Sequence, residues 1–199
     1  SLYSINNRMK NKIIDKEIDN IISRSSKTNN INHLIKDLSH LKTYSIDDSK
    51  TLEIDDAISL EKTPHYYKLW VHIASPSSYI EHQSGIDKFA RKLISTVYLS
   101  TNTYYMLPEI LVNNVFSLSK NDKRESMSLG VIFNEDGSIS STEIVQSLIK
   151  VDYSLNYTEA DELIDYAPKE EEDLSIISEI LQSRKCWRKN LGAMEILES

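Results

Sequence analysis

The chain has 199 residues, 40% of them apolar and 27% charged, an ordinary globular composition with enough apolar material for one sizeable domain, alone or with an appendage. A formal net charge of −7 and a pI near 5.3 exclude binding to nucleic acid through bulk positive charge, so any such contact must be local. The single cysteine, Cys186, excludes an internal disulfide; with no signal peptide and no membrane-spanning apolar run, the expected location is the cytoplasm or an organelle interior, with no membrane or disulfide-linked partner. Protein partners are left unassigned.

From the N-terminus, Ile13, Ile14, Ile18, Ile21 and Ile22 recur among charges at helical spacing and predict an amphipathic helix from about Met9 to Arg24. A Ser/Asn/Lys/Thr-rich joint, Ser25 to Asn30, separates it from a second short helix expected over about Ile31 to Leu41. Residues 1–42 therefore read as a helical lead-in from an upstream region. From Thr43 the pattern becomes strand, turn, strand, and Tyr66 to Ala74 then alternates, with Tyr67, Leu69, Val71 and Ile73 on one face and Lys68, Trp70 and His72 on the other. His72, among apolar neighbours, reads as a hydrogen-bonded structural histidine. Ser84 can cap a helix with Asp87 at its third position, followed by Ile86, Phe89, Ala90 and Leu93 at helical spacing. Two β-rich segments, Met127 to Phe133 and Ser138 to Lys150, flank the hairpin turn Asn134-Glu135-Asp136-Gly137. Thr158 with Asp161 opens the next helix, and a longer one over Glu170 to Asn190 ends near Gly192. Strands and helices without regular alternation predict an α+β fold with a mixed or antiparallel sheet and flanking helices.

The chemistry concentrates between Asp47 and Asp56, where Asp47, Asp48, Glu53, Asp55 and Asp56 stand without any His or Cys. Oxygen-only donors select Mg²⁺, Mn²⁺ or Ca²⁺ over zinc or copper, and Mg²⁺ keeps coordination positions for water and substrate phosphate. An EF-hand beginning at Asp47 fails, because Leu52 would stand where glycine is needed and Ile58 where a bidentate glutamate is needed. A solvated acidic turn is the simpler alternative. Against it stand the strand-like neighbours Thr43 to Ile46 and the interleaved or following Ile54, Ala57, Ile58 and Leu60, since carboxylates drawn toward a core need a partner. Three short basic groups, Lys88 with Arg91 and Lys92, Lys120 with Lys123 and Arg124, and Arg184 with Lys185, Arg188 and Lys189, are ordinary solubilising charge taken singly.

Several segments together resemble the RNB family of exoribonucleases, that of ribonuclease II and ribonuclease R. They are Ser45-Ile46-Asp47 with Glu53-Ile54-Asp55-Asp56-Ala57, Val71 to Ala74, Ser95 to Leu99, Met106 to Glu109, Asn113 with Ser117-Leu118, and Leu155-Asn156-Tyr157, in the family's order and spacing. The resemblance implies that residues 43–199 are the N-terminal portion of an RNB catalytic domain. It implies Asp47, Glu53, Asp55 and Asp56 as metal ligands for Mg²⁺, with Mn²⁺ as an alternative. Asp55, Asp47 and Asp56 would be the catalytic acids, and Tyr98 and Tyr157 the aromatic contacts to single-stranded RNA. The implied activity is metal-dependent 3′-to-5′ hydrolysis releasing nucleoside 5′-monophosphates, with a catalytically inactive RNA- or partner-binding fragment as the alternative.

Departures from the family pattern qualify single positions. Glu53 is one methylene longer than the usual Asp, and Leu93-Ile94 replaces an Arg-Gly pair, which makes the nearby Arg91 the candidate phosphate contact. Ser75 and Phe116 replace an Asp and a Cys. The family's domain also carries a later Glu and an Arg-containing motif, so the resemblance implies one part of an active site here.

Overall fold

The structure is a computed structural model that describes residues 12–25, 35–49, 51, 53–99, 102–166, 168 and 172–194. The first helix, α1 (Lys12–Ser25), follows the isoleucine stripe and buries Ile14 and Ile21; its expected start at Met9 and the joint over residues 26–30 lie outside the described residues. Of the helix expected over Ile31 to Leu41, the described part is instead a two-residue strand, β1 (Lys36–Asp37), and a turn closed by Leu41 N donating to Leu38 O. It pairs parallel with a strand over Ile139–Lys150, Lys36 opposite Ser147. The expected lead-in thus supplies an edge strand to the sheet, while α1 packs on the helix over Gly85–Leu93.

A seven-stranded sheet runs in the order β1-β8-β7-β4-β3-β2-β9, comprising β2 (Thr43–Asp47), β3 (Asp56–Lys62), β4 (Tyr67–Ala74), β7 (Lys123–Phe133), β8 (Ile139–Lys150) and β9 (Tyr153–Asn156) besides β1. The inner pairings are antiparallel, and the two edge strands, β1 and β9, pair parallel. The Asn134 to Gly137 turn closes the β7–β8 hairpin as expected, with Gly137 at φ 81°. That turn has no room for a side chain, because a Cβ on Gly137 would come within 2.3 Å of the Ser183 carbonyl oxygen.

β4 lies in the middle of the sheet and is buried on both faces at its centre. Leu69 packs with Leu60 and Ile177 on one face, while Trp70 packs with Leu38, Ala57, Leu118, Ile149 and Val151 on the other. The face expected to carry Lys68, Trp70 and His72 is the deeper one: Trp70 and His72 are both fully buried, whereas Ile73 on the opposite face is 47% exposed. Trp70 satisfies its indole N–H on Glu61 Oε2 at 2.8 Å and lies flat against Gly130, where a Cβ would sit 2.8 Å from the ring. His72 has a partner on each ring nitrogen, Ser59 Oγ at 2.9 Å from Nε2 and Ser128 Oγ at 2.6 Å from Nδ1, and the chain continues through Ser147 to Ser126. Burial lowers its pKa to about 4, so the ring is neutral, one nitrogen donating and one accepting. The structural reading of His72 fits this arrangement.

Helices cover the remaining surfaces. α2 (Gly85–Leu93) begins at Ser84, whose hydroxyl accepts from Asp87 N at 3.2 Å, as its sequence predicts. Two further amides of its first turn, those of Gly85 and Ile86, donate to the Glu17 carboxylate of α1 at 2.8 and 2.9 Å. The two helices share a cluster with Tyr79 and with the short α3 (Glu109–Leu111), which continues into a π-helical turn, Val112–Phe116. On the other flank, α4 (Tyr157–Tyr166) and α5 (Glu172–Asn190) pack over β2, β3 and β4. The cap of α4 is Asn156 rather than Thr158: Asn156 Oδ1 accepts from Glu159 N at 2.9 Å and Glu159 Oε2 accepts from Asn156 N at 2.8 Å, a reciprocal capping box. The end of α5 at Gly192 is as expected, with Gly192 at φ 89° and Ala193 N donating to Arg188 O.

Candidate active site

The acidic segment is the connection from β2 to β3, and both ends of it are fastened. Asp47 is the last residue of β2, opposite Asn156 of β9, and Asp56 is the first of β3, opposite Ile73 of β4. Between them, Ile54 N donates to Ser117 Oγ at 3.0 Å and Ile54 O accepts from Leu118 N at 2.9 Å. Ala74 N donates to Asp55 O at 2.8 Å. The Ser117-Leu118 segment thus holds the backbone from which Glu53 and Asp55 project. Sequence distance hides this contact.

Facing these acids is a small hairpin of β5 (Val97–Tyr98) and β6 (Thr103–Tyr104), with Tyr98 directly opposite Thr103. Residues opposite each other, and two apart on one strand, share a face. Tyr98, Thr103 and Tyr105 accordingly form one wall of an open cleft of about 450 Å³, and Asp48, Thr51, Glu53 and Asp55 line the rest of it. The Tyr98 hydroxyl donates to Glu53 Oε2 at 2.9 Å while the residue as a whole is 68% exposed, so its ring face stays open to solvent. Burial of that hydroxyl, its bond to Glu53 and the nearby charges push the Tyr98 pKa up to about 12.

The acids are crowded and in part withdrawn from water. Desolvation raises the Asp47 carboxyl, with the charges of Asp56 and Asp55 adding to it, and raises Asp55, with Asp56 adding. Asp47 Oδ2 and Glu53 Oε1 are buried and have no hydrogen-bond partner among the described residues. Leaving a buried acceptor unpaired costs on the order of 1–3 kcal/mol, more when it is charged. A hard cation would satisfy such oxygens, so the donor set fits Mg²⁺ or Mn²⁺ in kind. The side chains are not gathered as a finished cage: no three acids, histidines or cysteines among the described residues stand close enough to hold an ion together.

Of the remaining sequence candidates, Tyr157 is the first residue of α4, 63% exposed, and follows Asn156, which faces Asp47 across the β2–β9 pair. Arg91 is on α2, exposed and outside the cleft lining, with its Nε 3.0 Å from both carboxylate oxygens of Asp87. Asp48 and Tyr105 line the cleft although the sequence did not single them out as site residues; the signal for Tyr105 was its spacing two residues beyond Thr103. Burial and the charges of Glu109 and Glu53 raise the Tyr105 hydroxyl.

Known proteins resemble this chain in sequence and in fold. The RNB domain profile matches residues 35–199. The chloroplastic/mitochondrial ribonuclease II of Arabidopsis thaliana is 34% identical over 176 residues, covering 88% of this chain and 22% of that protein. The structure of Mycoplasma genitalium RNase R in complex with ribose-methylated single-stranded RNA superposes with a TM-score of 0.77 at 22% identity, over 89% of this chain and 29% of the other. Yeast Ssd1, described as a pseudonuclease, superposes with a TM-score of 0.65 at 21% identity, over 75% of this chain and 19% of the other. The chain spans between 19% and 29% of these relatives' length. No helix among the described residues is long and apolar enough to cross a membrane. By the extent of the profile match and the 34% identity to a ribonuclease II over 88% of this chain, the chain belongs to the RNB domain family.

Proposed function

We propose that this chain forms the acidic wall of a metal-dependent exoribonuclease that hydrolyses single-stranded RNA from its 3′ end and releases nucleoside 5′-monophosphates, in the cytoplasm or an organelle interior. Asp47, Glu53, Asp55 and Asp56 would hold Mg²⁺ or Mn²⁺, with Asp55, Asp47 and Asp56 as the acids on which the chemical step depends. A bound divalent ion supplies polarisation of the scissile phosphate, a lowered pKa for the attacking water and charge neutralisation at the leaving oxygen. The observation that carries this reading is the pair of buried, unpartnered carboxylate oxygens on Asp47 and Glu53, the latter lining a cleft whose far wall is tyrosine.

The chain's own groups set the substrate class. A π-face accepts any base, and stacking is worth about 1–3 kcal/mol per base, which suits a strand degraded without regard to sequence. The exposed ring of Tyr98 fits that role, and Tyr157, placed beside the Asp47 end of the acidic segment, extends it. The Thr51 and Thr103 side chains face the same cleft and are suited to hydrogen-bond phosphate oxygens. Arg91 would meet phosphate by exchanging it for the Asp87 carboxylate. An acidic cleft repels a polyanion, so a bound cation would strengthen RNA binding as well as supply chemistry.

A second reading, an RNA-binding module without catalysis, is favoured by one observation: the acids are not gathered into a coordination set. End-labelled single-stranded RNA separates the two. The chain, and any longer protein that carries it, is incubated with the RNA in Mg²⁺, in EDTA, and as the Asp55→Asn variant. Shortening from the 3′ end in Mg²⁺ alone is expected from the longer protein. RNA bound and left intact under all conditions establishes the second reading, cutting that ignores EDTA or Asp55→Asn removes the metal assignment, and shortening from the 5′ end reverses the polarity.

A further inference from the structure

Resting on the metal-dependent reading above, we propose that the Tyr98 hydroxyl is a positioning group for Glu53, so that the RNA-facing aromatic wall and the cation ligands act as one unit. Glu53 is held at both ends. Its backbone is anchored through the neighbouring Ile54, clamped to Ser117 and Leu118, and its tip is anchored by the 2.9 Å bond from Tyr98 to Oε2. With Oε2 occupied, the carboxylate is held from rotating freely, and its other oxygen, Oε1, is the buried one without a partner. The group meant for the cation is therefore oriented by the ring meant for the base.

The hairpin is built to deliver that hydroxyl from a fixed frame. Leu99 N donates to Asn102 O at 3.0 Å across its turn, Tyr98 pairs with Thr103, and Met106 N donates to Thr96 Oγ1 at 3.1 Å at its base. The contact also depends on this chain's choice of glutamate. An aspartate at position 53 is one methylene shorter, about 1.5 Å of reach, which would take the carboxylate out of hydrogen-bond range of a hydroxyl held by its own ribbon. Hydrogen-bond partners of metal-ligating carboxylates orient the ligand, and their loss typically costs about 10–100-fold in metal affinity. Linkage then runs both ways: a base stacked on Tyr98 steadies Glu53, and a cation on Glu53 steadies the ring.

The test uses Mn²⁺ as the probe, titrated calorimetrically into the chain as wild type, Tyr98→Phe, Glu53→Asp and the double variant. Tyr98→Phe keeps the ring and removes the hydroxyl, so Mn²⁺ affinity is expected to fall about 10-fold or more. In the Glu53→Asp background, where the contact is already lost, the same change is expected to have no further effect on Mn²⁺. Wild-type Mn²⁺ affinity in Tyr98→Phe, or an equal loss in both backgrounds, overturns the coupling alone. A wild-type chain that takes up no Mn²⁺ overturns the metal reading and the coupling with it.

Discussion

The centre of the sheet and the cleft at its acidic edge treat buried polar atoms in opposite ways. Under β4 and β7, the five residues Ser59, His72, Ser126, Ser128 and Ser147 are fully buried, and every one is hydrogen-bonded to another. At the Asp47 to Asp56 connection the polar atoms are only half withdrawn from water, yet two carboxylate oxygens have no partner and two carboxyls have raised pKa values. A satisfied network gives a unique and rigid core, whereas unpaired acceptors store free energy that a ligand can release. The first region makes the fold and the second exploits it.

Substitutions in the two regions should therefore separate stability from function. The largest effect is expected from Trp70→Ala, which empties the centre of the sheet and orphans Glu61 Oε2; about 3–5 kcal/mol of stability is lost in chemical denaturation. Asp55→Asn should do the reverse. In a full-length, active protein it should slow RNA hydrolysis by about 10²–10³-fold, while the denaturation midpoint stays the same or rises, because a crowded charge has been removed. Equal loss of stability in both variants would erase the distinction between the regions.

A smaller effect concerns pH. Unfolded, His72 takes a proton near its ordinary value of 6.5; folded, it does so only near 4, so between those values the unfolded chain binds the extra proton. Stability from this group is complete above pH 6.5 and falls as pH is lowered toward 4, by up to roughly 3 kcal/mol over the window. Comparing wild type with His72→Gln across pH 4–7 checks this: the gap between them should narrow on acidification, and a constant gap would place the titration elsewhere. The smallest change is Asn156→Ala, which removes the reciprocal cap of α4 and should cost about 1 kcal/mol without moving the acidic segment.

What sequence could and could not reveal follows the same division. Local chemistry was legible: Asn134 to Gly137 as the hairpin turn, Ser84 with Asp87 as a cap, the isoleucine stripe of α1, and the carboxylate run itself. Features settled by distant partners were not. A two-residue parallel strand at Lys36–Asp37 has no periodicity to detect, and its partner Ser147 is over a hundred residues away. Alternation on β4 identified two faces but not that α5 covers one and Leu38 with Ile149 the other, which is why the Trp70–His72 face proved the deeper. Asp48 and Tyr105 enter the cleft only once the β5–β6 hairpin folds over the acids. Arg91, read as a phosphate contact, also has an aspartate four residues earlier on the same helix, and that pairing was legible from spacing alone.

The most direct test of the central claim, that the crowded carboxylates are the seat of a divalent cation, is the thermal midpoint of the chain in Mg²⁺ and in EDTA at matched ionic strength. Mg²⁺ at about 100 times its dissociation constant should add about 2.7 kcal/mol of stability to wild type, and much less to a variant carrying Asp47→Asn and Glu53→Gln together. An identical midpoint for wild type in Mg²⁺ and EDTA, or an equal gain in the double variant, would contradict it.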